Sequence, residues 1–279
     1  MLSAALLLIA GFATLVTVGR IYLPQIAEHQ AAIVSQVQLR TGLQLSFSSL
    51  HGEWRGLLPS IVVRDLELRS DAVTVLEAEH ISLSLALVRS FFSRRLVARS
   101  LSVADAHVLL ARSVEGRWGL ANVSAGDGAA ATGQAAVKRF IESVSLLRLS
   151  RVGVSLHSAG QTQRVLDSTN LLMRRGLFLS QIDLEVVSQG ASDNRKERTL
   201  MQVRGEFEGG LFSADAVRAH LLVNDATFSE LKRLSDPAVG WLPEALSGRL
   251  WYDWNRESGW QLQGVMRAEH WSLPGPGQQ

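Results

Sequence analysis

The sequence predicts a mainly β protein that begins with a membrane-spanning helix and an amphipathic helix. Three observations support this prediction. An uncharged apolar run occupies positions 2–19, a pattern of helical period follows over 24–40, and from Leu43 onward polar and apolar residues alternate. Alternation of this kind is typical of antiparallel strands that present one apolar and one polar face.

The composition excludes several classes of protein. Of the 279 residues, 47% are hydrophobic and 19% are charged, below the soluble-protein average of about 25% charged residues. This balance is typical of a chain with a membrane segment or additional apolar surface. A net charge of +2 gives no strong electrostatic basis for binding nucleic acid. Since the chain has no cysteine, it has neither disulfides, nor thiol catalysis, nor cysteine metal sites.

The apolar run at 2–19 predicts a membrane anchor over residues 1–22. The run holds no charge and no proline, and at 1.5 Å per residue it is just long enough for a hydrocarbon core of about 30 Å. Arg20 and Tyr22, which follow it, are residue types that anchor helices at the membrane interface. A cleaved signal peptide is the alternative. The run is longer than a usual signal-peptide core and lacks a basic leader, so we predict an uncleaved anchor.

An amphipathic helix is predicted over residues 23–42. Pro24 suits the first turn of a helix, where its missing N–H has no intrahelical partner to lose, and Gly42 suits the end. The apolar stripe consists of Ile26, Ile33, Val34 and Val37. This helix would either pack on the protein's own sheet or plug the end of an apolar groove. Both arrangements bury the same stripe, so the spacing does not distinguish them.

The rest of the chain is predicted to be β-rich and to fall into three regions. Residues 43–123 form the first β-sheet region, interrupted near Leu87–Arg95 by a turn or short helix. Residues 124–136 are rich in glycine and alanine and predict a flexible linker. Alternation resumes over 137–279, and we expect this last region to be an incomplete part of a longer β structure.

The chain contains no pattern that predicts a reaction centre. Its histidines lack metal-ligand spacing, and Gly-x-Ser-x-Gly, Walker and dinucleotide-binding patterns are absent. Paired strand carboxylates such as Glu77 and Glu79 are typical of a solvated sheet face. We therefore predict that the protein is not an enzyme and uses neither a metal nor another cofactor.

Two motifs give the chain a family resemblance. They are Leu50-x-Gly-x-Trp-x-Gly-Leu-x-Pro59 and, after the next strands, Val114-Glu-Gly-Arg-Trp-Gly-Leu120. In this order, after an anchor and an amphipathic helix, they resemble the start of the YhdP branch of the AsmA-like proteins. The resemblance covers residues 1–120 best. Proteins of that branch are several times longer than this chain.

The resemblance implies a structure and a function. The structure is an inner-membrane anchor and a periplasmic body made of a long, curved, taco-like antiparallel sheet with an apolar inner face. The implied function is to bind or guide phospholipid between the inner and outer membranes. The alternative is an envelope-biogenesis factor that assists outer-membrane protein assembly without carrying lipid. The expected partners are phospholipid, the inner membrane and outer-membrane or other envelope proteins, and no nucleic acid.

The early strands predict the lining of an apolar groove. A sheet with one apolar face must be covered by a second layer, close into a barrel or offer that face to an apolar ligand. Few long amphipathic helices are available to cover so many strands, although a closed barrel or sandwich remains the alternative. The predicted lining is Leu43, Leu45, Phe47, Val62, Leu66, Leu68, Ile81, Leu83, Leu85 and Leu87.

Overall fold

The computed structural model describes most of the chain between residues 30 and 269. The described residues are 17, 20, 25, 27, 28, 30–41, 43–56, 58–70, 73–93, 97–112, 118–120, 142–158, 161–176, 179–188, 198–210, 213–227 and 245–269. The predicted anchor at 1–22, except residues 17 and 20, and the predicted linker at 124–136 lie outside them. Within the described residues, no helix has both the length and the apolarity needed to cross a bilayer.

The prediction of a mainly β protein is confirmed. The elements are α1 (Gln30–Thr41), β1 (Gln44–Ser46), β2 (Ser49–Arg55), β3 (Leu58–Ser70), β4 (Val73–Leu85), α2 (Leu87–Ser93), β5 (Ala98–Arg112), β6 (Trp118–Leu120), β7 (Leu146–Ser158), β8 (Gln161–Arg175), β9 (Leu179–Ser188), β10 (Arg198–Gly210), β11 (Ser213–Thr227), β12 (Ala245–Asn255) and β13 (Gly259–Glu269). Helix α1 lies within the predicted helix at 23–42, and α2 within the turn or short helix predicted after β4.

The chain divides into two compact units. Unit 1 comprises residues 1–104 and 122–144, and unit 2 comprises residues 105–121 and 145–279, so that β5 contributes to both. In unit 1, β1 and β2 both pair with β3, and β3 pairs with β4. In unit 2 the strand order continues from β5 through β7, β8, β9, β10, β11 and β12 to β13. Among the described strands β13 pairs only with β12, so this edge is open rather than closed into a barrel.

The pairing of β5 with β7 corrects the prediction of a purely antiparallel sheet. Arg151 contacts Asp105, and His107 lies 2.9 Å from the Ser155 hydroxyl, so residue numbers rise together along both strands. Such a parallel pair requires a long crossover, which here runs from the end of β5 to the start of β7. The sheet is therefore mixed. Alternation in the sequence gives the period of a strand but not its direction.

Three non-glycine residues inside strands have a left-handed backbone conformation. Their φ angles are 50° at Asp65 in β3, 53° at Asp105 in β5 and 54° at Arg151 in β7. This region is unfavourable for residues with a side chain, and aspartate is among those that tolerate it because its carboxylate bonds locally. At Asp65 the Ser48 hydroxyl donates to Oδ2 at 2.6 Å. The Ser48 backbone N–H donates to the carbonyl of Arg64 at 3.0 Å.

Each left-handed residue marks a change in which positions are apolar. One set of alternating apolar residues has odd numbers before it, and another set has even numbers after it. The sets are Ile61 and Val63 then Leu66 and Leu68 in β3, Leu101 and Val103 then Ala106 and Val108 in β5, and Leu147 and Leu149 then Val152 and Val154 in β7. A left-handed residue interrupts the regular alternation of side-chain direction along a strand. The switch from odd-numbered to even-numbered apolar positions therefore occurs at the left-handed residue, which is the backbone feature that accommodates it.

The left-handed conformation at Asp65 predicts which substitutions this position accepts. Asp65→Val should lower the free energy of unfolding by roughly 1–2 kcal/mol, because a β-branched side chain clashes with the backbone at positive φ. Asp65→Gly should change it much less, since glycine adopts this φ freely. Urea unfolding of the detergent-solubilised chain measures both. Glu79→Val, on the neighbouring strand β4, is the control, and an equal cost of valine at both positions would contradict the prediction.

A polar tie connects three strands where β5 meets β7. Arg151 Nε and Nη2 donate to the two carboxylate oxygens of Asp105, each at 2.5 Å. The backbone N–H of Arg151 donates to Asn170 Oδ1 in β8 at 2.9 Å. The hydrogen bonds from Arg151 hold the pKa of the Asp105 carboxyl below its usual value, because they stabilise its charged form.

The tie predicts a pH-dependent contribution to stability. Because the pKa of Asp105 is lowered on folding, its stabilisation is fully present above the ordinary carboxyl pKa of about 4 and is lost as pH falls through the lowered folded value. Asp105→Asn, which tolerates the left-handed backbone, should cost about 0.5–1 kcal/mol at neutral pH, the scale of an exposed ion pair. Urea unfolding at a series of pH values should show this difference shrinking below about pH 4. A difference that persists unchanged in acid would exclude the ion pair as its cause.

Candidate apolar contact surface

The strand register of unit 2 brings apolar side chains into continuous rows that run across the strands. Directly paired residues of neighbouring strands point to the same side of a sheet. The first row is Leu149, Leu171, Leu184, Val203, Leu221, Leu250 and Gly264, and the second is Leu147, Met173, Ile182, Gly205, Ala219, Tyr252 and Leu262. A third is Val186, Met201, Val223, Gly248 and Met266, and a fourth is Phe207, Val217, Trp254 and Trp260. We call these four rows the apolar face.

Burial of the apolar face decreases toward the last strands. Met173 in β8 is 1% exposed and Val223 in β11 is 3% exposed. By contrast, Tyr252 is 36%, Leu262 52% and Trp260 68% exposed in β12 and β13. Large apolar side chains exposed together are typical of a contact site for an apolar ligand or a partner. The open part of the apolar face therefore lies on β12 and β13.

Two small residues shape the middle of the second row. A Cβ added to Gly205 would lie 3.1 Å from Cγ2 of Ile182 and 3.2 Å from the carbonyl oxygen of Arg218, which leaves little room for a side chain. Ala219 is its neighbour in the row. The side chains of the second row are therefore smallest between Ile182 and Tyr252.

The other side of the same strands, the polar face, carries charged pairs between strands. Arg204 Nε lies 3.6 Å from Asp183 Oδ2, and Arg218 Nε lies 3.7 Å from Asp253 Oδ2. These exposed pairs contribute little to stability, but they keep this face hydrated. A broad, open depression of about 820 Å³ lies mainly on this side, with paired charges along its wall. The strands of unit 2 therefore have one apolar side and one mainly polar side, on which Trp251 and Val265 are also exposed.

The structure brings some of the predicted groove residues together in unit 1. Leu45 pairs with Leu68 on neighbouring strands. Ile81 pairs with Val63, and Leu83 pairs with Ile61, two β3 residues that the sequence analysis did not select. Leu66 lies across from Ala78, and Leu85 is the last residue of β4. Leu87 is the first residue of α2, Leu43 directly precedes β1, and Phe47 lies between β1 and β2. As lipid contacts these residues stay predictions.

One of the predicted groove residues, Val62, belongs to a different row. Val62 pairs with Ser82, which alternates with Ile81 and Leu83 along β4. Its side chain is 1% exposed, so it is a packed residue. The sequence shows that Val62 and Leu66 have the same spacing parity, but the left-handed Asp65 lies between them. Spacing alone therefore does not show which row Val62 belongs to, and as a lipid contact Val62 stays a prediction.

The rows of unit 2 were missed as a site by sequence reasoning. Their members stand out in the sequence as alternating runs, such as Ile182, Leu184 and Val186. The missing information was the pairing, because register depends on contacts between distant segments. Only the register shows that seven strands contribute to one apolar face.

The described residues offer little chemistry beyond this surface. No group of three or more His, Asp or Glu side chains in the described ranges is placed to hold a metal ion. His107 and Ser155 are hydrogen-bonded, but Ser155 is 4% exposed, so the pair joins β5 to β7 rather than facing a substrate.

Comparison with known proteins gives one match. The family model described as YhdP protein matches residues 1–275, far beyond the segment that carries the two sequence motifs. No curated protein and no solved structure matches the chain.

Proposed function

The chain belongs to the YhdP family, and on this premise we propose that it guides phospholipid between the inner and outer membranes along its apolar face. In this proposal the protein is anchored in the inner membrane by its first helix, and its β-rich body lies in the periplasm. The observation that carries the proposal is the pair of apolar rows, through Val203 and through Leu262, that run across all seven strands from β7 to β13.

The dimensions of the apolar face support an acyl ligand. Seven strands at roughly 4.8 Å spacing span about 29 Å, nearly twice the roughly 15 Å that one leaflet contributes to a hydrocarbon core. An acyl chain needs a continuous dry surface but few directional polar partners, and each buried CH₂ contributes about 0.8 kcal/mol. Rows of leucine, valine, isoleucine and methionine supply such a surface without a reaction centre.

The exposure of the apolar face supports loading from outside. Leu262 and Trp260 present apolar side chains to solvent on the last described strands. The polar face stays hydrated because its strands carry arginine, aspartate and glutamine side chains. Lipid should therefore contact one side of unit 2 and not the other.

Photo-crosslinking tests this one-sided contact. A photoreactive amino acid at Leu262, on the apolar face, should form adducts with phospholipid in cells. The same amino acid at Gln263, which is also exposed but on the polar face, is the matched control and should form none. Equal lipid labelling at both positions, or adducts only with other proteins, would contradict the carrier function. Protein adducts alone would favour a factor that assists outer-membrane protein assembly.

A second experiment separates an open face from a closed core. With the photoreactive residue at Leu262, Val203→Asp in the first row should lower lipid adducts roughly ten-fold or more, because a carboxylate is costly to dehydrate against hydrocarbon. Gln202→Asp, one residue away on the polar face, should leave them unchanged. Thermal melting of both variants should be similar if the carboxylate is hydrated on an empty face. A collapsed melt for Val203→Asp alone would mean that the face is a closed core.

The proposed location has its own test. After alkaline carbonate extraction the protein should stay in the membrane fraction, because the uncharged run at 2–19 holds it there. A phosphatase fused after Gln279 should be active, as expected for a periplasmic body. Release by carbonate, or an inactive phosphatase beside an active cytoplasmic reporter at the same position, would refute the location.

A further inference from the structure

One contact in unit 1 joins the end of the predicted anchor to a β-hairpin. The guanidinium carbon of Arg20 lies 5.7 Å from the ring centroid of Trp54, within the range of a cation–π interaction. Nη2 of the same arginine lies 3.5 Å from the carbonyl oxygen of Gly56, to which it donates. Both contacted residues belong to the β2–β3 hairpin, far away in sequence.

The hairpin tip has free space beside an exposed guanidinium. Gly56 is exposed, has a φ of 66°, and a Cβ added there would meet no atom within 4 Å. The indole nitrogen of Trp54 is buried and has no hydrogen-bond partner within the described part of the chain, so it faces the protein and not the open side of the tip. The exposed guanidinium of Arg20 is the donor suited to a phosphate oxygen.

The position of Arg20 in the sequence sets the depth of this tip in the membrane. Arg20 directly follows the uncharged run at 2–19, so in a bilayer-spanning anchor it lies at the level of the headgroups. Trp54 and Gly56, which it contacts, then lie at the same level. Tryptophan and arginine are both residue types that favour this interface.

Apolar rows of unit 1 lead away from the tip. Trp54 pairs with Pro59, and the next row on the same side of the hairpin holds Ile61 paired with Leu83. The following row holds Leu50, Val63 and Ile81. An acyl chain whose headgroup lies at the tip therefore meets apolar side chains along β3 and β4.

We propose that the β2–β3 tip and Arg20 form the entry site for phospholipid, where the phosphate contacts Arg20, held in place by Trp54 and Gly56, while the acyl chain moves onto the row of Ile61 and Leu83. This inference rests on the proposed function, since it assumes an anchored lipid carrier. It adds the place of entry, the side chain that contacts the phosphate and the tryptophan that positions it.

Membrane depth is the first test. The chain has no cysteine, so one introduced cysteine gives a single nitroxide label. In vesicles of phosphatidylethanolamine and phosphatidylglycerol, a label at Arg55→Cys should be more accessible to oxygen than to a water-soluble nickel chelate. A label at Gln44→Cys, near the opposite end of the 13-residue strand β3 and roughly 40 Å away, should show the reverse. Equal exposure of both labels to the chelate would overturn the entry site.

Loss of headgroup contacts is the second test. With a photoreactive residue at Leu83, Arg20→Gln and Trp54→Ala should each lower lipid adducts roughly five-fold, the scale of one cation–π contact. Trp251→Ala, an exposed tryptophan on the polar face, is the control and should have no effect. Since the Arg20 side chain is exposed, Arg20→Gln should leave the fold intact, so that a loss of adducts in this variant reports a lost contact with lipid.

The outcomes distinguish this inference from the carrier function. Adducts at Leu83 that are unchanged in both variants would overturn the entry site while leaving lipid transport intact. Adducts at Leu262 together with a water-exposed tip would do the same. Absence of adducts at both Leu83 and Leu262 in the otherwise unaltered chain would overturn the carrier function and the entry site with it.

Discussion

The whole arrangement depends on register between strands. The side chains of a strand alternate with a period of two, so a slip of one residue would move a complete apolar set to the water-facing side. In unit 2 every pair from β7 to β13 keeps apolar opposite apolar along the rows through Val203 and Leu262. Because most of the alternate positions hold charged or polar residues, a slip would move the ion pairs to the apolar side and the leucines of the rows to the water-facing side. Register therefore defines both faces together.

The left-handed residues extend this constraint to strands whose apolar positions change parity. Asp65, Asp105 and Arg151 each lie between an odd-numbered and an even-numbered set of alternating apolar residues. A strained conformation inside a strand costs free energy, and it persists where surrounding contacts determine it. Here Ser48 bonds to Asp65, and Asp105 and Arg151 bond to each other. The backbone strain at these residues and the hydrogen bonds that offset it thus occur where the apolar positions of the strand change.

The sequence predicted the fold class well because alternation is a local property, and it found α2 because a short helical segment interrupts the strands. It predicted neither the parallel β5–β7 pair nor the seven-strand apolar face, since both depend on pairing between distant segments. Val62 shows the limit most clearly, because its spacing matches Leu66 but Asp65 separates them. The contact of Arg20 with Trp54 also joins distant segments, and no spacing rule reveals it.

The central claim is that an open apolar face holds phospholipid. The most direct measurement is mass spectrometry of the full chain purified from membranes in detergent, with lipids quantified after extraction and compared with an unrelated single-pass membrane protein purified in the same way. The account predicts phospholipid that remains bound through extensive detergent exchange and exceeds the amount carried by that reference. Phospholipid at or below the reference amount would contradict it.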